Sequence, residues 1–273
     1  MPESRTVTFL KQIIPPFFFT LFKKGKKYGW KGDYKNWQEA KDLSGTYDDV
    51  LILEKVKLAL LKIKNGQAVY ERDSVLFDHI QYSWPLLSAL LWITTINKGK
   101  LQVADFGGSL GSSYFQNRLF LHSVPHLAWN IIEQENFVLC GQQFFQDDTL
   151  RFFYTPDQMI VKQGLPDLLL LSCVLPYLEK PYEMLENLMR YKITYILIDN
   201  TYFNYEDSDR ICIQRVPPEI YKASYPCWML NQKRVKTILT NEYDIISTHE
   251  NDSFIFLDGK KIQYQGSLFK IKE

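Results

Sequence analysis

The sequence predicts an α/β fold in which a mostly parallel sheet carries helices on both faces. Two apolar runs, 166–175 and 193–198, are typical of strands buried on both sides, as parallel strands are. A helical pattern separates them, from Pro181 to Arg190. A third run, 101–106, ends in a glycine turn and passes into another helical pattern. Strands and helices in alternation favour parallel pairing with right-handed crossovers.

The other elements follow from local patterns. Helical spacing of apolar residues indicates helices at 48–64 and 80–96, before the first sheet strand, and at 231–240 near the end. Further strands are predicted at 127–132, 150–154, 243–248 and near 267–271. The stretches 29–34, 68–77 and 211–228 are interpreted as turn-rich or irregular, and the last of them as a long loop that contacts substrate.

Composition bounds the class of protein. The 273 residues suffice for one large domain, and 46% apolar with 15% aromatic residues exclude a disordered chain. A net charge of +1 provides no field that favours a nucleic-acid partner, and none is expected. Four cysteines without C-x-x-C spacing, no signal-peptide pattern and no apolar run of about 20 residues predict a cytoplasmic protein.

Residues 1–35 differ from the main domain, 36–273. Their apolar residues are interrupted by Pro15-Pro16 and followed by a lysine cluster at 23–27. We expect this arm to pack on its own domain or on a second subunit. The alternative is weak peripheral contact with an anionic membrane at its inner face. The sequence does not indicate an oligomeric state.

The turn at 105–111 has the features of a ligand site. Asp105 ends the strand, and Phe106, Gly107, Gly108, Ser109 and Gly111 follow. Glycines let the backbone approach a ligand closely, and the next helix exposes N–H groups at its start. A dinucleotide-binding G-x-G-x-x-G turn would need glycine at the position of Phe106, which counts against a nicotinamide cofactor.

Asp105-x-Gly107-x-x-x-Gly111 resembles motif I of class I S-adenosylmethionine-dependent methyltransferases. Several stretches resemble one family assigned to that class and associated with bacterial surface-polysaccharide genes: 29–34, 73–77, 105–114, 129–134 and 221–226. The resemblance implies a Rossmann-like fold whose seven-stranded sheet ends in an antiparallel hairpin, with capping helices before the first strand. It also implies S-adenosylmethionine as cofactor, held by the turn residues and Tyr114.

Two further strand ends contribute to the expected cofactor site. Glu133, at the end of the next strand and 22 residues beyond Gly111, can accept hydrogen bonds from ribose hydroxyls, with Gln134 beside it. The alternative is a surface acid that caps the following helix. Ser172 and Val174, at the end of the most apolar strand, should stand beside the glycine turn.

The acceptor site is expected at the same edge of the sheet. His79 is the candidate general base, with Tyr82 beside it, and Asn200, Tyr221 and Tyr225 are candidate substrate contacts. The alternatives are that His79 begins a helix and that the tyrosines fill the core. No serine–histidine–acid order, zinc-ligand spacing or Walker loop occurs, and no metal is expected.

Three functions stay open on this basis. The leading hypothesis is an S-adenosylmethionine-dependent methyltransferase acting on a small hydroxylated or sugar-containing acceptor. The second is a nicotinamide-dependent oxidoreductase or sugar-nucleotide enzyme that uses the same turn. The third is a non-catalytic protein that retains the fold.

Overall fold

The computed structural model describes residues 28–45, 50–72, 74–218, 220 and 223–273. Most of the predicted N-terminal arm, residues 1–27, and the candidate substrate residue Tyr221 therefore lie outside the described residues. Within the described part of the chain, no helix is long and apolar enough to cross a membrane.

Twelve strands and eight α-helices make up this part of the chain. The strands are β1 (Gly29–Tyr34), β2 (Tyr70–Arg72), β3 (Val75–Phe77), β4 (Lys100–Phe106), β5 (His126–Ile132), β6 (Leu150–Phe153), β7 (Leu168–Ser172), β8 (Tyr195–Thr201), β9 (Arg210–Arg215), β10 (Ser224–Met229), β11 (Tyr243–Leu257) and β12 (Lys260–Ile271). The helices are α1 (Trp37–Asp42), α2 (Val50–Lys64), α3 (Trp84–Ile96), α4 (Ser112–Leu121), α5 (Glu135–Phe144), α6 (Pro156–Gln163), α7 (Pro181–Met189) and α8 (Gln232–Thr240).

The main sheet has seven strands in the order β11-β12-β8-β7-β4-β5-β6. The five strands from β8 to β6 are parallel. β12 runs antiparallel to β8, and β11 runs antiparallel to β12. This arrangement confirms the predicted mostly parallel sheet with an antiparallel C-terminal hairpin.

Alternate side chains of the central strands pack against helices on opposite faces. On β7, Leu168 and Leu170 belong to a core cluster with residues of α2 to α5. Leu169 and Leu171 belong to a second cluster, with residues of α6, α7 and α8. Since successive side chains of a strand point to opposite faces, a run of four buried leucines is what a strand covered on both sides requires.

A second sheet corrects the interpretation of two irregular stretches. β1 and β10 pair antiparallel with β9, in the order β1-β9-β10. Residues 29–34 are thus a strand rather than a turn-rich connection, and much of 211–228 is sheet rather than loop. The prolines misled the interpretation, because Pro226 lies in an edge strand, where a missing N–H is tolerated. The predicted domain boundary at residue 35 falls between β1 and α1.

Other elements also differ from the prediction. β2 and β3 pair antiparallel within the stretch 68–77 that was interpreted as irregular. α6 was not predicted, although Thr155 caps it and Pro156 is its first residue. The C-terminal hairpin is much longer than 243–248 and 267–271. Its turn is Asp258-Gly259, with φ values of 51° and 80°, the left-handed pair typical of a two-residue hairpin. The extra length carries Tyr264 and other residues to the edge of the sheet where the parallel strands end.

Candidate functional site

A cavity of about 1030 Å³ opens at the carboxyl ends of the parallel strands. The ends of β4, β5, β7 and β8 form its floor, and the β2–β3 hairpin and the β1-β9-β10 sheet contribute to its walls. Open α/β sheets bind their ligands at this edge. The predicted residues that line it are Phe106, Gly107, Gly108, Ser109, Glu133, Gln134, Ser172, Val174, Asp105, His79, Tyr82, Asn200 and Tyr225.

The glycine turn is shaped by its contacts with the protein. Gly107 has a φ of 73°, and a Cβ built on it would lie 2.3 Å from Cγ2 of Val174. A Cβ on Gly108 would lie 2.5 Å from the carboxyl carbon of Asp105. These two glycines are therefore required by a close approach to Val174 and to Asp105. This is a different reason from the ligand approach that the sequence suggests.

Asp105 is a buried carboxylate with incomplete hydrogen bonding. Its side chain is 1% exposed, and the indole N–H of Trp129 donates to Oδ2 at 3.0 Å. Oδ1 has no hydrogen-bond partner among the described residues. Burial raises the pKa of Asp105 to about 7, Trp129 opposes the rise and the negative charge of Glu133 adds to it. A donor from a bound ligand is what this unpaired oxygen lacks.

The side chain of Glu133 links the glycine turn to the end of β5 through hydrogen bonds. One of its carboxylate oxygens accepts the N–H of Ser109 at 3.2 Å, and the other accepts the N–H of Gln134 at 2.7 Å. Burial raises the pKa of Glu133, while these two backbone donors lower it. Because each carboxylate oxygen has two lone pairs, both can still accept a hydroxyl from a ligand.

Two of the predicted cofactor residues do not line the cavity. Gly111 is the N-cap residue of α4 and has a φ of 100°, a left-handed conformation that favours glycine. Tyr114 packs on Trp129 with a ring separation of 5.9 Å and on Phe115 at 5.3 Å. Tyr114 thus contacts the ring of Trp129, whose indole N–H donates to Asp105, and it does not itself face the cavity.

His79 and Tyr82 lie at the mouth of the cavity. Nδ1 of His79 is 2.8 Å from the Asp78 carboxylate, and both side chains are largely exposed. The ring of Tyr82 packs against those of Trp84 and Phe120 at 5.1 and 5.2 Å. His79 thus precedes α3 without belonging to it.

A group of aromatic side chains, here called the aromatic wall, also lines the cavity. It combines Tyr225, which is 3% exposed, with Trp30, Tyr177 and Tyr264. Tyr177 packs edge-on against Tyr225 at 5.6 Å and donates its hydroxyl to Oε1 of Gln214 at 2.7 Å. Of this wall the sequence indicated Tyr225 alone, because the other members come from distant parts of the chain.

The wall of the cavity is strongly acidic. Six carboxylic residues line it: Glu71, Asp105, Glu133, Asp199, Glu250 and Asp252. Arg72 is the only lysine or arginine among the described lining residues. The potential in the cavity therefore favours cations and disfavours anions.

Comparison with known proteins gives structural similarities only. No family model matches the chain, and no curated protein matches it. The N-terminal domain of EvdMO1, crystallised in the presence of SAH and D-fucose, is 12% identical, with a TM-score of 0.46 over 82% of this chain and 100% of that one. The N-methyltransferase NodS from Bradyrhizobium japonicum WM9, in complex with S-adenosyl-L-homocysteine, is 14% identical, with a TM-score of 0.42 over 70% and 87%.

Magnesium protoporphyrin IX methyltransferase (ChlM) from Synechocystis PCC 6803, with bound SAM, is 11% identical, with a TM-score of 0.42 over 100% of both chains. At such identities and TM-scores, the assignment of the cavity depends on its own residues.

Proposed function

We propose that the protein is an S-adenosylmethionine-dependent methyltransferase acting on a small hydroxylated or sugar-containing acceptor. The observation that carries the proposal is the buried side chain of Asp105, which packs close to Gly108 and has one oxygen without a hydrogen-bond partner among the described residues. Glu133 supplies acceptor atoms at the end of the next strand. An amino-acid ammonium and a ribose are the groups that such a pair suits.

The charge of the cavity separates this proposal from a nicotinamide enzyme. S-adenosylmethionine carries a sulfonium, an ammonium and one carboxylate, and so it is a net cation. A dinucleotide brings two negative phosphates, which dinucleotide folds usually bind at a helix N-terminus or with basic side chains. Six carboxylic residues against Arg72 favour the cation. No specific observation favours the non-catalytic alternative.

One set of cavity residues would bind the cofactor and another set would bind the acceptor. Bound S-adenosylmethionine supplies a methyl group on a sulfonium, which a positioned nucleophile can attack. Asp105, Glu133 and the turn would hold the cofactor. Tyr225 and its aromatic neighbours would stack on the apolar face of an acceptor and exclude water, while His79 and Tyr82 would contact it from the mouth. A role in surface-polysaccharide synthesis follows the family resemblance and is part of the proposal, as is a cytoplasmic location.

Calorimetry tests the cofactor assignment directly. We expect the protein to bind S-adenosylmethionine and S-adenosylhomocysteine, and not NAD. Glu133→Gln should weaken binding by about 1–3 kcal/mol, the scale of a lost hydrogen bond to a charged acceptor. The matched control is Glu135→Gln, an exposed acid two residues on that does not line the cavity.

Binding of NAD in preference to S-adenosylhomocysteine would contradict the proposal. Equal losses of affinity in the Glu133 and Glu135 variants would contradict the role of Glu133. Methyl transfer from labelled S-adenosylmethionine to a panel of monosaccharides and small phenols separates an enzyme from a protein that only binds.

A further inference from the structure

A second buried carboxylate lines the cavity at the acceptor end. Asp199 lies near the carboxyl end of β8 and is 2% exposed. β7 separates β8 from β4, which carries Asp105. With strands about 4.8 Å apart, and with Asp199 two residues further along the sheet than the register partner of Asp105, the two α-carbons stand roughly 12 Å from each other. This spacing leaves room for a transferred group and its acceptor between them.

Ser83 donates to Asp199 instead of capping its own helix. It occupies the N-cap position of α3, where a serine side chain usually accepts a backbone N–H, yet it makes no such bond. Its hydroxyl lies 3.2 Å from Oδ1 of Asp199. The helix thus forgoes a common stabilising contact, and the carboxylate gains a fixed donor.

His249 contacts the same oxygen of Asp199. Its Nε2 is 3.2 Å from Oδ1 of Asp199, and because an ionised carboxylate only accepts, Nε2–H is the donor. The imidazole reaches Asp199 across Gly266, its cross-strand partner. A Cβ on Gly266 would lie 2.3 Å from Nε2, so a glycine is required there. His249 itself does not line the cavity.

The backbone after Asp199 is also unusual. Asn200 has a φ of 48°, a left-handed conformation that a non-glycine residue adopts at some expense, and Asn251 donates to its side chain at 3.3 Å. The carbonyl of Asp199 accepts the N–H of Cys173, which ties the end of β8 to that of β7. Asp199 is therefore fixed by contacts of its side chain, of its backbone carbonyl and of the next residue, Asn200.

We infer that Asp199 is the general base of the reaction: it takes the proton from the substrate hydroxyl that receives the methyl group. Ser83 and His249 are positioning residues that hold Asp199. The inference rests on the proposed function. As the acceptor oxygen bonds to the methyl carbon, the carbon–sulfur electron pair stays on sulfur and the O–H pair stays on oxygen. The released proton passes to the carboxylate of Asp199, so charge and atoms balance. An exposed His79 paired with Asp78 is less suited to this role than a buried carboxylate on the cavity wall.

A binding measurement tests the inference without an acceptor. Sinefungin carries an ammonium group where S-adenosylmethionine carries its methylated sulfonium, whereas S-adenosylhomocysteine has no charge there. If Asp199 faces the transferred group, Asp199→Asn should weaken sinefungin binding by about tenfold and leave S-adenosylhomocysteine affinity unchanged. Turnover should fall by about 10²-fold, the usual contribution of a general base.

Asp167→Asn is the matched control, because this carboxylate accepts from Asn97 and Gln102 at the opposite edge of the sheet. Its ratio of sinefungin to S-adenosylhomocysteine affinity should equal that of the wild type. His249→Gln should lower the ratio in the same direction, and it replaces Asp199→Asn as the test if that variant does not fold.

An unchanged ratio in the Asp199 and His249 variants, with both ligands bound, would overturn the inference and leave the proposed function standing. Equal weakening of both ligands would also overturn it, because Asp199 would then belong to the cofactor site. Failure of the wild type to bind S-adenosylhomocysteine would overturn the proposed function itself.

Discussion

Replacing Asp105 by asparagine should remove a pH dependence from the folding stability of the ligand-free protein. The pKa of this carboxyl is about 7 in the folded state, against an ordinary value of 3.8, chiefly because burial penalises the ionised form. Between these values the folded state binds more protons than the unfolded state, so stability falls as the pH rises. Each unit of difference is worth 1.36 kcal/mol, which gives a total decrease of about 4 kcal/mol.

Urea unfolding at about pH 5 and about pH 8 measures the part of this decrease that lies between pH 5 and the folded-state pKa of about 7, which is about 3 kcal/mol. The wild type should be less stable at the higher pH by an amount that the Asp105→Asn variant does not show. The asparagine carbonyl can still accept from Trp129. The difference between the two proteins in how unfolding free energy changes with pH therefore reports the ionisation of Asp105. Asp167→Asn removes a carboxylate that already has two donors, and it should keep the wild-type decrease.

An equal change in the free energy of unfolding between the two pH values, in the wild type and in the Asp105 variant, would refute this reasoning.

The Asp105 carboxyl group should also respond to the cofactor. An ammonium beside the unpaired oxygen favours the ionised carboxylate. Because Asp105 is about half protonated near pH 7, binding of S-adenosylhomocysteine there should release about half a proton per molecule in the wild type and none in Asp105→Asn. Calorimetry in buffers of different ionisation enthalpy measures this release.

Three other predictions follow from the positions of single residues. Gly107→Val should lower the free energy of unfolding by about 1–3 kcal/mol, because the new side chain meets Val174 and the φ of 73° is left-handed; Val174→Ala should restore part of the loss, and full stability in the single variant would contradict the contact. His79→Asn should leave S-adenosylhomocysteine affinity and most turnover intact if Asp199 is the base, and a large loss of turnover would return that role to His79. Deleting residues 1–27 should lower the melting temperature without affecting cofactor affinity, whereas vesicle pelleting by the intact protein alone would show a membrane-binding arm instead.

Local patterns in the sequence predicted the scaffold well. β7 was recognisable because four consecutive leucines suit a strand covered on both faces. The glycine turn, Asp105 and Glu133 were recognisable because they stand at the ends of adjacent strands, where chain order and sheet position agree. The prediction failed where prolines occur in edge strands, as in β10, and where a hairpin turn such as Asp258-Gly259 was overlooked.

Tertiary structure alone decided the acceptor end of the cavity. Ser83 and His249 meet Asp199 from positions 116 and 50 residues away, and Trp30 joins the aromatic wall from the far end of the chain. Hydrogen bonds between residues so far apart produce no periodic signal in the sequence, because the sequence pattern around each partner reflects only the helix or strand to which it belongs. The sequence by itself thus determined the parallel sheet and the edge of that sheet at which the proposed cofactor site lies. Which side chains face one another across that edge depended on how the second sheet and the long C-terminal hairpin pack.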